Sequence, residues 1–361
     1  MAKKTYTVIT GTGSHLPAKV VKNEDFLVNE FYQPGKFIPF ETPVEEIIQK
    51  FEEITNINQR RYIEDHQTNS DIATESALEA INDAGIDKET LDFIIVGHNF
   101  GDAQKGSTKI DTLPSVANKV KANLKIKNAE CFCHDLISGC PSWTQAMITA
   151  DAYIRCGDFK RGLVIGSDVL SRVNDPHDRD SMIFADGAGA AVVEGVQSRT
   201  PVGLISHASR SDSDGMIEHL YMGPSWNEEY DQSEITLKMA GHKIYVYALS
   251  NVPKVVKQSI DKAGLNISDI KKVFIHQANE KMDQAILERV FKLYKEKEIP
   301  EGIMPMTIRE LGNSSTATVP TLLDLVLKGK KPGHKVESGD HIILTSVGAG
   351  MNINSLVYKM P

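Results

Sequence analysis

The sequence predicts an α/β protein made of two similarly folded halves, and three observations carry that expectation. Helical and strand patterns alternate almost throughout the chain. A helix–turn–strand unit recurs at an offset of 179 positions: Asp83-Ala84-Gly85-Ile86-Asp87 and Ile94-Ile95-Val96 are echoed by Lys262-Ala263-Gly264-Leu265-Asn266 and Val273-Phe274-Ile275. Two more echoes pair Gly187-Ala188-Gly189 with Gly348-Ala349-Gly350, and Ser138-Gly139-Cys140 with Leu311-Gly312-Asn313. A division between Glu194 and Pro201 gives halves of residues 1–197 and 198–361.

The elements follow from local pattern. Ser70 reads as an N-cap, followed by a helix over Asp71–Asp83 with Ile72, Ala73, Ala77, Ala80 and Ile81 on one stripe. Gly85 ends it, and the continuous apolar run Phe93–Val96 marks a strand buried on both faces. Pro141 suits a first helical position, opening a helix over Ser142–Arg155 whose Trp143, Ala146, Met147, Ala150 and Ile154 recur at helical spacing. Glu280–Lys297 reads as a further helix. Phe31–Pro43 and Ser209–Glu234 read as irregular, aromatic-bearing connections.

Composition narrows the function classes. The net charge of −8 argues against a primary nucleic-acid binder. No apolar run has membrane-spanning length, and the polar start Met-Ala-Lys-Lys-Thr-Tyr is not a signal peptide. All four cysteines (Cys131, Cys133, Cys140, Cys156) crowd together, in spacing that fits neither a disulfide scaffold nor a zinc site. The expectation is a soluble, reduced, cytoplasmic protein with no resident metal.

Three side chains stand out for chemistry. Cys140 follows Ser138-Gly139 at a strand-to-helix turn, where helix N–H groups favour a thiolate. Cys131, Cys133 and Cys156 read as structural. His276 leaves the tip of a buried strand, where α/β sheets place their crevices. Asn313, taken alone, reads as a helix cap. The glycine-rich runs at 187–189 and 348–350 lack the context of a dinucleotide fingerprint, but their backbone N–H groups suit half of an oxyanion hole.

Together these strings resemble the β-ketoacyl-acyl-carrier-protein synthase III family, within the thiolase-like condensing enzymes. The resemblance rests on Gly11–Pro17, Thr55-Asn56-Ile57 with Arg60-Arg61, Gly166–Arg172, Asp175–Arg179, Phe184–Ala191, Met239–His242, His276–Asn279, Gly312–Pro320 and Gly348–Gly350. It implies a thiolase-like fold of two pseudo-symmetric βαβαβ-type halves in α/β/α/β/α layers, in a homodimer. It also implies a catalytic Cys140, His276 and Asn313. The oxyanion hole would come from the backbone of Cys140 and of Gly348-Ala349. Arg179, Asn279 and Lys281 would bind substrate.

The implied reaction is a decarboxylative Claisen condensation. Cys140 takes an acyl group from a coenzyme A or carrier-protein thioester; His276 and Asn313 then stabilise the enolate left by decarboxylation of a malonyl thioester. His276 would do so neutral, with Nε2 protonated. No permanently bound cofactor is implied, and acyl carrier protein is the expected partner. Lys281, Arg289, Lys292 and Lys295 offer it a basic face, interleaved with acidic residues.

Departures from the family point to a specialised fatty-acid or secondary-metabolite branch. Lys50 stands where many members stack a tryptophan on the coenzyme A adenine, opposite Arg179. Leu113 replaces a pocket-shaping phenylalanine, and Phe31–Pro43 is an insertion. Two other readings are an acyltransferase to oxygen or nitrogen nucleophiles, and a catalytically silent partner subunit.

Overall fold

The computed structural model describes residues 2–361. Nine strands form the two main sheets: β1 (Lys4–His15), β2 (Phe93–Gly97), β3 (Phe132–Leu136), β4 (Arg161–Val169), β5 (Asp186–Ser198), β6 (Gly203–Ser211), β7 (Ile270–Ile275), β8 (His341–Gly348) and β9 (Asn352–Lys359). The first sheet runs β1-β5-β4-β2-β3 and the second β6-β9-β8-β7. In each, an antiparallel hairpin (β4–β5, β8–β9) pairs one member with a parallel strand (β2, β7) and the other with the half's first strand. The second sheet therefore repeats the first without a counterpart of β3. Where that counterpart would lie, Val273 N–H donates to the Ile303 carbonyl at 2.9 Å, outside any ladder.

The helices are α1 (Val44–Thr55), α2 (Asn69–Ala84), α3 (Val116–Asn123), α4 (Ser142–Cys156), α5 (Gly241–Lys262), α6 (Glu280–Leu293), α7 (Ile308–Leu311) and α8 (Thr318–Leu327). The cores show how they stack. Trp143, Met147 and Ile154 of α4 and Val319, Leu322 and Val326 of α8 share one cluster with Ile95 and Val164 of the first sheet and Phe274 and Leu344 of the second. These two helices form a middle layer between the sheets. On the outer face of the first sheet lie α2 and α3, and on that of the second α5 and α6. The result is five layers, α/β/α/β/α. Full burial of each large apolar side chain in such a layer contributes about 1.5–3 kcal/mol.

Several local expectations shift. The cap of α2 is Thr68, not Ser70: Thr68 and Asp71 form a capping box, because Asp102 holds Ser70 through its N–H and hydroxyl at 2.8 Å each. Pro141 lies one position before α4 begins. The Gly187–Gly189 string sits inside β5, whereas Gly348–Gly350 closes β8, so that echo pairs two different places in the fold. The 209–234 segment is more regular than its composition suggests. It extends β6 and supplies Leu220–Gly223, which pairs with Thr236–Met239. Lys238 of that ribbon is buried in an ion pair with Asp175, which also accepts from Trp226 N–H at 2.9 Å. Cys156 is exposed rather than packed, while Cys131 is buried.

The Phe31–Pro43 insertion is irregular apart from a bridge between Tyr32 and Pro39. It is nonetheless anchored. Phe31 is buried in a cluster with Phe26, Phe51, Ile57 and Met182, and Tyr32 N–H donates to the His177 carbonyl at 2.8 Å. That tether lays the insertion over the 175–184 segment.

Candidate active site

Cys140 ends the loop from β3 into the buried helix α4. Ser142 ties that turn: its hydroxyl accepts from Ser138 N–H at 2.8 Å and donates to the Gly139 carbonyl at 2.6 Å. Two glycines then let loops from opposite halves touch. A Cβ on Gly139, which holds φ at 71°, would lie 2.5 Å from Ala349 N; one on Gly348 would lie 2.5 Å from Cys140 N. The backbones of Cys140 and Gly348-Ala349, expected from sequence as the two sides of an oxyanion hole, are thus brought side by side, Gly139 against Ala349 and Gly348 against Cys140. Burial pushes the Cys140 thiol up to about 12, and the buried Asp168 carboxyl acts in the same direction. The Ser315 hydroxyl and the Cys140 N–H pull it back. The sequence expectation of a thiolate from the helix start alone therefore meets strong opposition from desolvation.

His276 follows the last residue of β7, and its backbone N–H donates to Thr345 O at 2.9 Å, continuing the ladder for one more position. Burial lowers its imidazole to about 4, so the ring stays neutral across the pH range where histidine ordinarily titrates. Its Nδ1 lies 2.8 Å from the Thr318 hydroxyl, which itself lies 2.9 Å from the Ser315 carbonyl. The hydroxyl carries one proton. Given to Nδ1, it leaves Nε2–H as a donor to the cleft; given to Ser315, it leaves Nε2 as an acceptor. Thr318 therefore governs which work the ring can do.

Asn313 is buried in the turn before α8, and its backbone is clamped by the 183–185 segment. Asn313 N–H donates to Ile183 O at 3.0 Å, and Asn313 O accepts from Ala185 N–H at 2.8 Å. Its side chain is not the helix cap expected of it, since α8 is capped at Ala317 and the short 3-10 turn before it at Ser314; it closes a tight turn instead and leaves a group over. The Oδ1 accepts from Ser315 N–H at 2.8 Å, which orients Nδ2 away from that bond as a free donor. Turn closure and donor are two ends of one amide.

Ser315 links all three side chains. Its N–H fixes Asn313, its carbonyl bonds the Thr318 hydroxyl beside His276, and its own hydroxyl lies 3.2 Å from Cys140 Sγ. It holds φ at 52°, a left-handed conformation that costs a non-glycine residue about 1 kcal/mol or more. Ser315, Thr318, Asn99 and Asp168 were not singled out from sequence. The one available signal was the polar density of Ser314-Ser315-Thr316, which reads as ordinary helix-start composition.

The three remaining candidates lie apart from this cluster. Arg179 is exposed at the start of a short 3-10 turn, with its guanidinium 5.0 Å from the centre of the Phe40 ring. The insertion thus covers a face of the side chain expected to stack on adenine. Asn279 caps α6 by accepting from Met282 N–H at 3.0 Å. Lys281 is exposed and lines a surface depression with Glu52, Glu53 and Glu280. That lining carries more negative than positive side chains, so the basic face expected on this helix does not extend into it.

Comparison with known proteins agrees with this architecture. Residues 134–213 match the family described as 3-Oxoacyl-[acyl-carrier-protein (ACP)] synthase III. Residues 260–360 match its C-terminal counterpart, 3-Oxoacyl-[acyl-carrier-protein (ACP)] synthase III C terminal. A beta-ketoacyl-[acyl-carrier-protein] synthase III of Staphylococcus aureus (strain Newman) is 31% identical over 352 residues, 97% of this chain and 98% of that relative. The crystal structure of the corresponding synthase III from Thermus thermophilus superposes with a TM-score of 0.80 at 27% identity, covering 98% of this chain and 99% of that one. The synthase III from Aquifex aeolicus VF5 gives 0.77 at 28% identity, again over 98% and 99%.

Proposed function

The chain belongs to the 3-oxoacyl-[acyl-carrier-protein] synthase III family, and from that membership we propose a residue-level account of its carbon–carbon bond-forming condensation. The carrying observation is convergence: a nucleophile from one half and Asn313 from the other are bonded to the same residue, Ser315, which also bonds the Thr318 hydroxyl that holds His276. Cys140 sulfur attacks an acyl thioester, the thioester C–S bond breaks, and the carrier leaves as its thiol. The oxyanion formed on the way is held by the N–H groups of Cys140 and Ala349. A malonyl thioester then loses carbon dioxide. The electron pair left behind becomes an enolate, whose oxygen accepts hydrogen bonds from Asn313 Nδ2 and, once the Thr318 proton turns from the Ser315 carbonyl to Nδ1, from His276 Nε2. The enolate carbon attacks the acyl-cysteine, giving a β-ketoacyl thioester and releasing Cys140. Incubation with a panel of acyl thioesters should place one acyl mass on Cys140, read by intact mass and peptide mapping. Failure to acylate across coenzyme A and carrier-protein donors overturns the assignment.

Substrate class follows from the insertion. Phe40 lies against Arg179, and Lys50 replaces the aromatic partner expected across the adenine, so a stacked nucleotide has no vacant sandwich. We assign carrier-protein thioesters as the preferred acyl donors. Phe40→Ala should raise Cys140 acylation by an acyl-coenzyme A about tenfold, the scale of one aromatic contact, while leaving carrier-bound acyl transfer unchanged. Equal response of the two donors would refute the assignment.

A homodimer is the accompanying assembly. The edge strand β3 ends the first sheet with one side unpaired. Beside it, Leu113 and Ile137 are 83% and 68% exposed. An open edge flanked by apolar side chains is a surface that a second copy covers. Sedimentation should return about twice the 39.8 kDa chain mass; a monomer at working concentration refutes it.

A further inference from the structure

Beyond the three side chains named above, we propose that Ser315 is a fourth member of the catalytic centre, its hydroxyl donating to Cys140 sulfur in a direction fixed by Asn99 and Asp168. The argument is one of proton counting. Asn99 Nδ2 donates one hydrogen to Asp168 Oδ2 at 2.7 Å and the other to Ser315 Oγ at 2.8 Å. Its backbone N–H donates to the other oxygen of the same carboxyl at 2.8 Å. The reversed amide would set its own oxygen against that carboxyl, so the orientation is fixed. Ser315 Oγ thus receives a hydrogen from Asn99 and has its own left to give. Cys140 Sγ accepts it at 3.2 Å; the Asp168 carboxyl also faces this hydroxyl, but its oxygens already accept three N–H groups, two from Asn99 and one from Thr316.

Direction matters because the sulfur lies in unfavourable ground. The titratable group acting on it is Asp168 at the end of β4, while His276, after β7, joins the network through Thr318. His98, after β2, acts on Asp168. Neither His276 nor Asp168 supplies a fixed positive charge: the imidazole of His276 is held neutral, and Asp168 opposes a thiolate. A hydroxyl aimed at sulfur by a clamped amide stabilises the anion without adding a charge of its own, and a bond to a charged acceptor is worth roughly twice a neutral one. The backbone places that hydroxyl at a cost. In this left-handed conformation the Ser315 N–H reaches Asn313, its carbonyl reaches Thr318 and its side chain reaches Cys140 together.

The inference rests on Cys140 as nucleophile, and alkylation reads the sulfur directly without any condensation substrate. The experiment follows iodoacetamide modification of the full chain against pH, resolved by peptide mapping. Exposed Cys156 in the same molecule is the internal reference. In Ser315→Ala the midpoint for Cys140 should move upward, so that below it alkylation slows about tenfold, the scale of one lost bond to a charged acceptor. The plateau rate and the Cys156 profile should not change. Asn99→Ala, which keeps the hydroxyl but frees its direction, should slow the same step by a smaller factor. A Cys140 profile in Ser315→Ala that superposes on wild type overturns the inference. An unchanged Asn99→Ala profile overturns the part given to Asn99. A merely structural role would instead alter the plateau, because access to the sulfur would change rather than its protonation. If Ser315→Ala does not fold, Asn99→Ala decides alone.

Discussion

Cys140→Ala should leave no acyl adduct on the protein and lower condensation by about four orders of magnitude or more, the scale seen when a nucleophile is removed. The variant should still decarboxylate malonyl thioester, because Asn313 and His276 are held through Ser315 by backbone groups that the substitution does not touch. That split separates nucleophile from enolate donors in one protein. Intact mass after incubation with acyl thioesters reads the first half, and carbon dioxide release reads the second. An adduct that persists on the alanine variant would place the nucleophile elsewhere. The fold has room for the change: alanine fits the same turn, and the contact of Gly348 with Cys140 N is made by backbone.

Asn313→Asp gives the second large effect, and its value lies in what it preserves. Aspartate keeps an oxygen for Ser315 N–H, now 2.8 Å from Asn313 Oδ1, so the turn before α8 keeps its closing bond. It removes the Nδ2 donor and sets a carboxylate beside the developing enolate. Losing one donor of an oxyanion site costs about 10²–10³ in rate, and like-charge repulsion adds to it. Malonyl decarboxylation should therefore fall by at least that factor, while acylation of Cys140 changes little and the melting temperature stays close to wild type. Equal losses in acylation and decarboxylation would show that Asn313 acts through the fold and not through its amide.

Much of the architecture was legible in the chain because its signals are local and repeated. The apolar run Phe93–Val96, the stop at Gly85 and the recurrence at Ala263-Gly264 depend on a few adjacent residues, and backbone chemistry enforces them. The echo of Gly187–Gly189 in Gly348–Gly350 failed for the opposite reason. Short glycine strings serve any place where backbones crowd, and these two serve different places. Cys140 and His276 could be singled out because a turn and a strand tip are sequence-readable positions. Ser315 could not, since its three bonds reach residues 175, 2 and 3 positions away and depend on one unusual dihedral angle. The contact of Phe40 with Arg179 was hidden likewise, because an insertion announces its length and composition but not the surface it lies on.

The middle layer deserves a last physical consequence. Helices α4 and α8 descend one from each half, yet their apolar sides share a single core with both sheets. Neither half owns that core. A half expressed alone would present one face of its sheet and one side of its helix to water, a loss no local rearrangement restores. A volume change at Trp143 must be met by an opposite change across the layer. The reaction centre inherits its rigidity from this seam.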